Sequence, residues 1–347
     1  MSSTQTWRET LLAHWQRPHP SLLCRALQPL SWLYAALAAA DRASVAAGLR
    51  AHERAPRPLI VVGNLVAGGA GKTPTVIALA ELLRASGHRP GVISRGYGRR
   101  SRELQILRRD STAADAGDEP LLIHLRARVP VAVAERRIDA ARALCAHDAA
   151  IDVLLADDGL QHHALARDVQ VIVFDQRGAG NGLMLPAGPL REPLPARVPA
   201  DSLVLYTDGA PSTPLAGFCA ERALAGAVLL DGWWRGEPAS LPALHALRNA
   251  PLLACAGTAR PQRFFEMLRH HGLAPRPIAL PDHEPFDTLP WPADAADVVV
   301  TEKDAVKLRP GRALRTRVWV APLDLRIEPA FAPALLRLLE RERTRDL

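Results

Sequence analysis

The run Leu59-Ile60-Val61-Val62 passes through Gly63-Asn64 into Gly68-Gly69-Ala70-Gly71-Lys72-Thr73, and helical periodicity follows at once. A short, β-branched apolar run reads as a buried strand entering a loop. After the loop, Pro74 suits a first helical turn, where its missing N–H costs nothing. Val76, Leu79, Ala80 and Leu83 then make one apolar stripe, and Gly87 stops the helix. Strand, glycine loop and helix in that order form a phosphate cradle. Glycines let backbone N–H groups close around phosphate oxygens, Lys72 reaches the β- and γ-phosphates, and the Thr73 hydroxyl is a ligand for Mg²⁺. The candidate nucleotide-binding set is Val66, Ala67, Gly68, Gly69, Ala70, Gly71, Lys72 and Thr73, with ATP and Mg²⁺ as the implied cofactors. The pattern departs from G-x-x-x-x-G-K-[ST] only at its first position, which is Val66.

A second apolar run, Ile151 to Ala156, leads into Asp157-Asp158-Gly159. A carboxylate at the carboxyl end of a neighbouring strand can hold Mg²⁺ beside nucleotide phosphates. An Asp-Asp-Gly turn is ordinary turn chemistry by itself; in company with the phosphate loop, Asp157 and Asp158 become metal candidates.

Further strands are expected at Pro90 to Ile93, Val129 to Ala134, Val169 to Phe174 and Leu203 to Tyr206, with helices at Val76 to Arg84 and Arg136 to Ala146. That alternation predicts an α/β fold, a three-layer sandwich around a mostly parallel sheet of P-loop NTPase type. Gly209 to Gly217 is rich in Pro and Gly and suggests a boundary. Beyond it a smaller C-terminal α/β lobe is legible in Leu252 to Gly257, Gln262 to His271, Asp297 to Thr301 and Val318 to Ala321. The expected organisation is 1–50 as an N-terminal helical, membrane-interface segment, 51–210 as the kinase-like core and 211–347 as the C-terminal lobe.

Charge narrows the partners. The net charge is +7 and the isoelectric point about 9.8, so polyanions, either nucleic acid or an anionic membrane surface, are favoured. No aromatic-interleaved basic patch or nucleic-acid module is apparent, so no nucleic-acid partner is expected. Only Lys72, Lys303 and Lys307 are lysines in a chain that otherwise writes Arg, which marks them as candidate sites for a compact ammonium. The four cysteines are scattered and no signal peptide is recognisable, which points to a reducing, cytoplasmic setting.

Residues 21–40 are mostly apolar, but Arg25, Gln28 and Pro29 interrupt them, leaving about 11 residues from Leu30, short of the ~20 a spanning helix needs. Trp7, Trp15, Trp32 and Tyr34, with Arg8, Arg17, Arg25 and Arg42, give the composition of a helix lying in a membrane interface. A buried, self-packing helix explains the same apolar residues.

Several stretches in this order resemble the tetraacyldisaccharide 4'-kinases, which phosphorylate the lipid A precursor at the cytoplasmic face of the inner membrane. They are Val62-Gly63-Asn64 with the phosphate loop and Pro74, Ser94-Arg95-Gly96-Tyr97-Gly98, Gly117-Asp118-Glu119-Pro120, Asp157 to His162, Leu185 to Glu192, and Thr301-Glu302-Lys303-Asp304-Ala305-Val306-Lys307. The resemblance implies that Asp118 accepts the proton of the sugar 4'-hydroxyl, that His283 pairs with it, and that Lys72 completes the catalytic set. By the residues alone, Asp118 reads as a helix N-cap before Glu119 and Pro120. The pairing makes chemical sense, since an aspartate at its usual pKa of ~3.9 is a weak base and a histidine partner can share or orient the proton.

The same comparison implies Thr73, Glu119, Asp157 and Asp158 on the Mg²⁺ side. It also implies Arg95, Tyr97, His162, Arg191 and Lys303 toward the acylated disaccharide lipid, with Lys303 open between contacting an anionic group and a structural task. A peripheral or monotopic protein at the cytoplasmic side of the bacterial inner membrane, with no obligate protein partner, is the corresponding expectation. The alternative is a switch ATPase of partitioning or metallochaperone type, which places a lysine just before the glycine pair. Ala67 stands there instead.

Overall fold

The computed structural model describes residues 10–311 and 315–345. Two compact units alternate along the chain. The described parts of Met1–Val76, Ala149–Glu221 and Ile327–Leu347 make one, and Ile77–Asp148 with Arg222–Arg326 make the other. In chain order the elements begin with α1 (Leu22–Ala46), β1 (Leu59–Gly63), α2 (Lys72–Ala85), β2 (Pro90–Ser94), β3 (Gln105–Ile106), α3 (Ala113–Ala116), α4 (Asp118–Ala127), β4 (Val131–Val133) and α5 (Arg137–His147). They continue with β5 (Val153–Asp157), β6 (Val169–Phe174), β7 (Ser202–Tyr206), β8 (Phe218–Leu224), β9 (Val228–Leu229), α6 (Leu230–Arg235), α7 (Leu241–His245) and β10 (Leu252–Ala256). The last are α8 (Pro261–His270), β11 (Arg276–Ala279), β12 (Asp297–Val300), α9 (Glu302–Ala305), β13 (Arg317–Val320), β14 (Leu323–Ile327) and α10 (Phe331–Arg345).

In the first unit, β1 is flanked by β5 and β6, with β7 beside β6 and β8 beside β7, all parallel. Strands buried on both faces need continuous apolar runs, and every residue of β1 and β5 is buried. Register carries the functional consequence. Val62 lies opposite Asp157, so the loop leaving β1 and the acidic turn leaving β5 start from the same end.

The second unit pairs β2 parallel to β4, with β3 antiparallel on β4. It also holds a separate sheet in the order β11-β10-β12-β13-β9, parallel except at β9. Phe264, Phe265 and Leu268 of α8 pack with Leu244, Leu252 and Val299 as its core. Phe264, Phe265 and Leu268 recur at helical spacing, which is the amphipathic pattern that seats α8 on the sheet.

The N-terminus differs from the expected short apolar run. Helix α1 continues through Pro29 for 25 residues, about 37 Å at 1.5 Å per residue. It is long and apolar enough to cross a membrane by length and composition, and only 11% of its most apolar window is buried. Pro29 removes one backbone donor, but the helix is held on both sides of it. Ser21 caps its start by accepting from the Cys24 amide, Ser31 Oγ donates to the Met184 carbonyl at 2.9 Å and accepts from the Ala187 amide at 3.0 Å, and Tyr34 donates to the Arg191 carbonyl at 3.2 Å. Trp15 adds a bond from Nε1 to the Pro186 carbonyl at 3.0 Å. Elsewhere the helix exposes Leu22, Leu30, Trp32, Leu33 and Leu37. Trp7 and Arg8 lie outside the described residues.

Ser31 is thus a buried hydroxyl joining α1 to the 184–187 loop. Ser31→Ala leaves a buried amide and carbonyl without that partner and is expected to cost about 1–3 kcal/mol. Urea unfolding of the two proteins measures it, and an unchanged midpoint would deny that α1 is anchored there.

Candidate active site

In the first unit the loop is strapped by its carbonyls. Asn64 Nδ2 donates to Val66 O at 2.7 Å and Gly68 O at 3.1 Å, Thr207 Oγ1 donates to Ala70 O at 3.1 Å, and Arg177 Nη2 donates to Gly69 O at 2.8 Å. Arg177 is itself fixed by Asp175, a 2%-exposed carboxylate just past β6, at 2.9 Å. Four successive or near-successive loop carbonyls are thus held by side chains, and loops of this kind bind anions through their backbone N–H groups. Gly71, at φ 94°, takes a conformation that side chains disfavour. Val66 is buried and bridges to Leu190, so it serves the loop's base. The Ala67 amide likewise bonds the Pro189 carbonyl.

Lys72 opens α2, with Nζ 3.2 Å from Asn64 Oδ1 and 3.3 Å from Asp158 Oδ1. Arg191 Nη1 lies 3.5 Å from the same Asp158 oxygen and 3.2 Å from Gln161 Oε1. Gln161 Nε2 in turn donates to Asn64 O and to Glu192. Asp157, buried at the end of β5, precedes Asp158, which has φ 51°. Left-handed backbone at a non-glycine residue costs energy and collects at functional sites. Thr73, in the first turn of α2, is 9% exposed. A hydroxyl and two carboxylates are hard oxygen donors, the chemistry Mg²⁺ takes when phosphate oxygens complete its shell. Among the described residues no cluster of three or more His, Cys, Asp or Glu suits a metal on its own. His162 is half-buried, in the turn after Gly159.

In the second unit Gly117, at φ 89°, is the N-cap of α4, and Asp118 is the first helical residue. A Cβ at Gly117 would lie 2.9 Å from the Tyr97 carbonyl, so only glycine fits. The N-cap reading of Asp118 is therefore corrected. Its carboxylate does not cap the helix: Oδ2 meets His283 Nδ1 at 3.1 Å, 165 residues away in sequence. His283 too has a left-handed backbone, φ 65°. Tyr97 sets its ring edge against the imidazole, centroids 5.8 Å apart, and is largely exposed, as is Arg95.

Glu119 is engaged by Lys303, whose Nζ lies 3.3 Å from Glu119 Oε1, 3.0 Å from Asp282 Oδ1 and 3.3 Å from His283 Nε2. Burial opposes the Lys303 charge, but Glu119 and Asp282 more than offset it and hold its pKa above the ordinary lysine value. Lys307, by contrast, is buried on Asp304 at 3.1 Å and over the Phe286 ring. Asp304 also accepts from Thr301 Oγ1 and the Gly257 amide, making a rigid stand for α9. Beside it, burial pushes the Cys255 thiol up to about 12, so that cysteine is an inert core residue.

Sequence reasoning assigned no role to Asn64, Arg177, Asp175, Thr207 or Asp282. Asp175-Gln176-Arg177 directly follows a strand's carboxyl end, and that position was the available signal.

A parallel sheet that hands a central strand through a lysine- and threonine-bearing glycine loop onto a helix, with an acidic pair on the next strand, defines a P-loop nucleotide-binding protein. Residues 23–340 match the family model described as Tetraacyldisaccharide-1-P 4'-kinase, and the chain belongs to that family. It is 56% identical over 319 residues to the tetraacyldisaccharide 4'-kinase of Methylibium petroleiphilum, covering 88% of this chain and 89% of that one. It is 53% identical to that of Leptothrix cholodnii, covering 92% of each. A crystal structure described as the "apo" form of LpxK from Aquifex aeolicus in complex with ATP superposes with a TM-score of 0.75 at 26% identity, over 92% of this chain and 99% of that one.

Arg177→Lys keeps a positive charge beside Asp175 but loses the fork that reaches the loop carbonyls. ATP affinity measured by calorimetry is expected to fall about tenfold, on the order of 1.4 kcal/mol, with little change in the unfolding midpoint. Unchanged affinity would remove Arg177 from the loop's support.

Proposed function

We infer that this chain transfers the γ-phosphate of ATP to the 4'-hydroxyl of a tetraacyldisaccharide 1-phosphate, forming the 4'-phosphorylated lipid A precursor, lipid IVA, in lipopolysaccharide biosynthesis. Beyond family membership, the observation that carries the residue roles is the Asp118–His283 pair, a carboxylate oriented by an imidazole at 3.1 Å. A strapped glycine loop and Lys72 supply the donor side.

Phosphoryl transfer asks for positioning and charge neutralisation more than for covalent chemistry. Lys72 leaves Asn64 and Asp158 to meet the β- and γ-phosphates. Thr73, Asp157 and Asp158 would hold Mg²⁺, which supplies charge neutralisation at the phosphate oxygens when bound. Glu119, which would complete that set, lies 3.3 Å from Lys303 Nζ. Asp118 takes the proton of the acceptor hydroxyl as the oxygen attacks phosphorus, and ADP leaves. Arg95, Tyr97, His162 and Arg191 are assigned to the lipid's disaccharide and phosphate. Segment 1–50 is assigned to the membrane surface, 51–210 to nucleotide and base, and 211–347 to His283 and Lys303.

The acceptor's acyl chains stay in the bilayer, so the chain must work at the membrane's cytoplasmic face. The exposed apolar side of α1 and the surrounding arginines suit it for that surface.

Asp118→Ala is expected to bind ATP normally while losing lipid phosphorylation by at least about 10²-fold; turnover at the wild-type rate would refute the base assignment. Removing residues 1–40 is expected to lower co-sedimentation with anionic liposomes, and full sedimentation of the truncated protein would place docking elsewhere.

A further inference from the structure

The chain has three asparagines, Asn64, Asn181 and Asn249, and Asn64 is wholly buried where β1 gives way to the phosphate loop. A side-chain amide has two N–H donors and one acceptor oxygen, and its direction is read from the groups around it. Nδ2 faces two backbone carbonyls, which only accept, Val66 O at 2.7 Å and Gly68 O at 3.1 Å. Oδ1 is left for the Lys72 ammonium, at 3.2 Å. We propose that Asn64 is a positioning residue for Lys72: pinned by its own two protons to the loop backbone, it holds the ammonium on a neutral oxygen until the phosphates of ATP take it over.

Lysine carries its charge on a flexible four-carbon stem. Fixing such a stem before the ligand arrives removes part of the ordering cost of binding. Lys72 is held in this way from two sides, by Asn64 Oδ1 and by Asp158 Oδ1 at 3.3 Å. The bracket also reaches the place where the loop departs from the common pattern. Val66 stands at the position of the first glycine, and its carbonyl is one of the two that Asn64 holds.

The chemistry of the amide accounts for an asparagine at this place. An aspartate has the same shape, but it would set a carboxylate oxygen against the Val66 and Gly68 carbonyls and would compete as an anion with phosphate for the ammonium. The amide donates to both carbonyls and carries no charge to compete. The Asn64 backbone carbonyl has a separate partner, Gln161 Nε2 at 3.2 Å. A change of the side chain leaves that bond's acceptor in place.

The proposal rests on Lys72 being the lysine that meets the phosphates, and a double-mutant cycle separates the two ideas. ATP affinity is measured by calorimetry for the wild type, Asn64→Ala, Lys72→Met and the double variant. Asn64→Ala is expected to weaken ATP about tenfold when Lys72 is present and less than about twofold when it is Met, with KM for lipid within about twofold of the wild type. Equal losses in both backgrounds overturn the proposal and leave Lys72 as the phosphate ligand, with Asn64 serving only the loop's shape. An unchanged ATP affinity in Asn64→Ala overturns it too. An unchanged affinity in Lys72→Met overturns the reading of Lys72 and the proposal with it.

A measurement on the wild type decides the matter without any variant having to fold. With ¹³C,¹⁵N-labelled asparagine and leucine, the three side-chain amides give three pairs of signals, and only Asn64 is followed by leucine. The Asn64 amide protons are expected to exchange with water at least about 10²-fold more slowly than those of the exposed Asn249. They are also expected to shift when a non-hydrolysable ATP analogue draws Lys72 away. Exchange as fast as at Asn249, or signals that the bound analogue leaves unmoved, overturns the proposal.

Discussion

Two strands that start their loops from one end of a sheet set the terms for everything in the nucleotide half of this protein. β1 and β5 are parallel neighbours, and their register places Val62 opposite Asp157. A glycine loop and an acidic turn therefore emerge side by side, and Lys72 and Asp158 come within 3.3 Å. Parallel neighbours cannot be joined by a hairpin. The chain must travel before it returns, and between β1 and β5 it builds α2 through α5. Asp118 lies in that excursion. The economy of the fold is that one sheet constraint supplies both the phosphate loop and the chain length that carries Asp118.

The same logic of held backbone recurs at smaller scale. Asn64, Arg177 and Thr207 hold the loop's carbonyls. Asp158 and His283, two of the four non-glycine residues with left-handed backbone among the described residues, are both tied into charged clusters. In the second unit the three-residue spacings of Thr301, Asp304 and Lys307 bury a charge pair as a stand. Lys303, one step off that pattern, is left to face Glu119, Asp282 and His283.

Much of this was legible in the sequence. The apolar runs read as strands correspond to β1, β2, β4, β5, β6, β7, β10, β12 and β13 within a residue or two, because strands buried on both faces write themselves as continuous Val, Ile and Leu. The phosphate loop was legible because its chemistry demands unusual residues. Less legible was α1, where Pro29 read as a break; side-chain bonds from Ser31 and Tyr34 to a loop more than 150 residues away sustain the helix, and no local pattern announces them. Asp118 looked like a cap, since the partner that defines it is 165 residues distant. Arg177 and Asp282 were invisible for the same reason. Pairings of high sequence separation are what a single sequence hides.

A member of the tetraacyldisaccharide 4'-kinases moves phosphate from ATP to a lipid hydroxyl. The direct measurement is the fate of labelled γ-phosphate when the purified protein meets ATP, Mg²⁺ and a tetraacyldisaccharide 1-phosphate in detergent micelles. Label recovered in the lipid, one per ADP formed and located at the 4'-position by phosphorus NMR, is the predicted result. Label released as inorganic phosphate with the lipid unchanged, the behaviour of a switch ATPase, would contradict it.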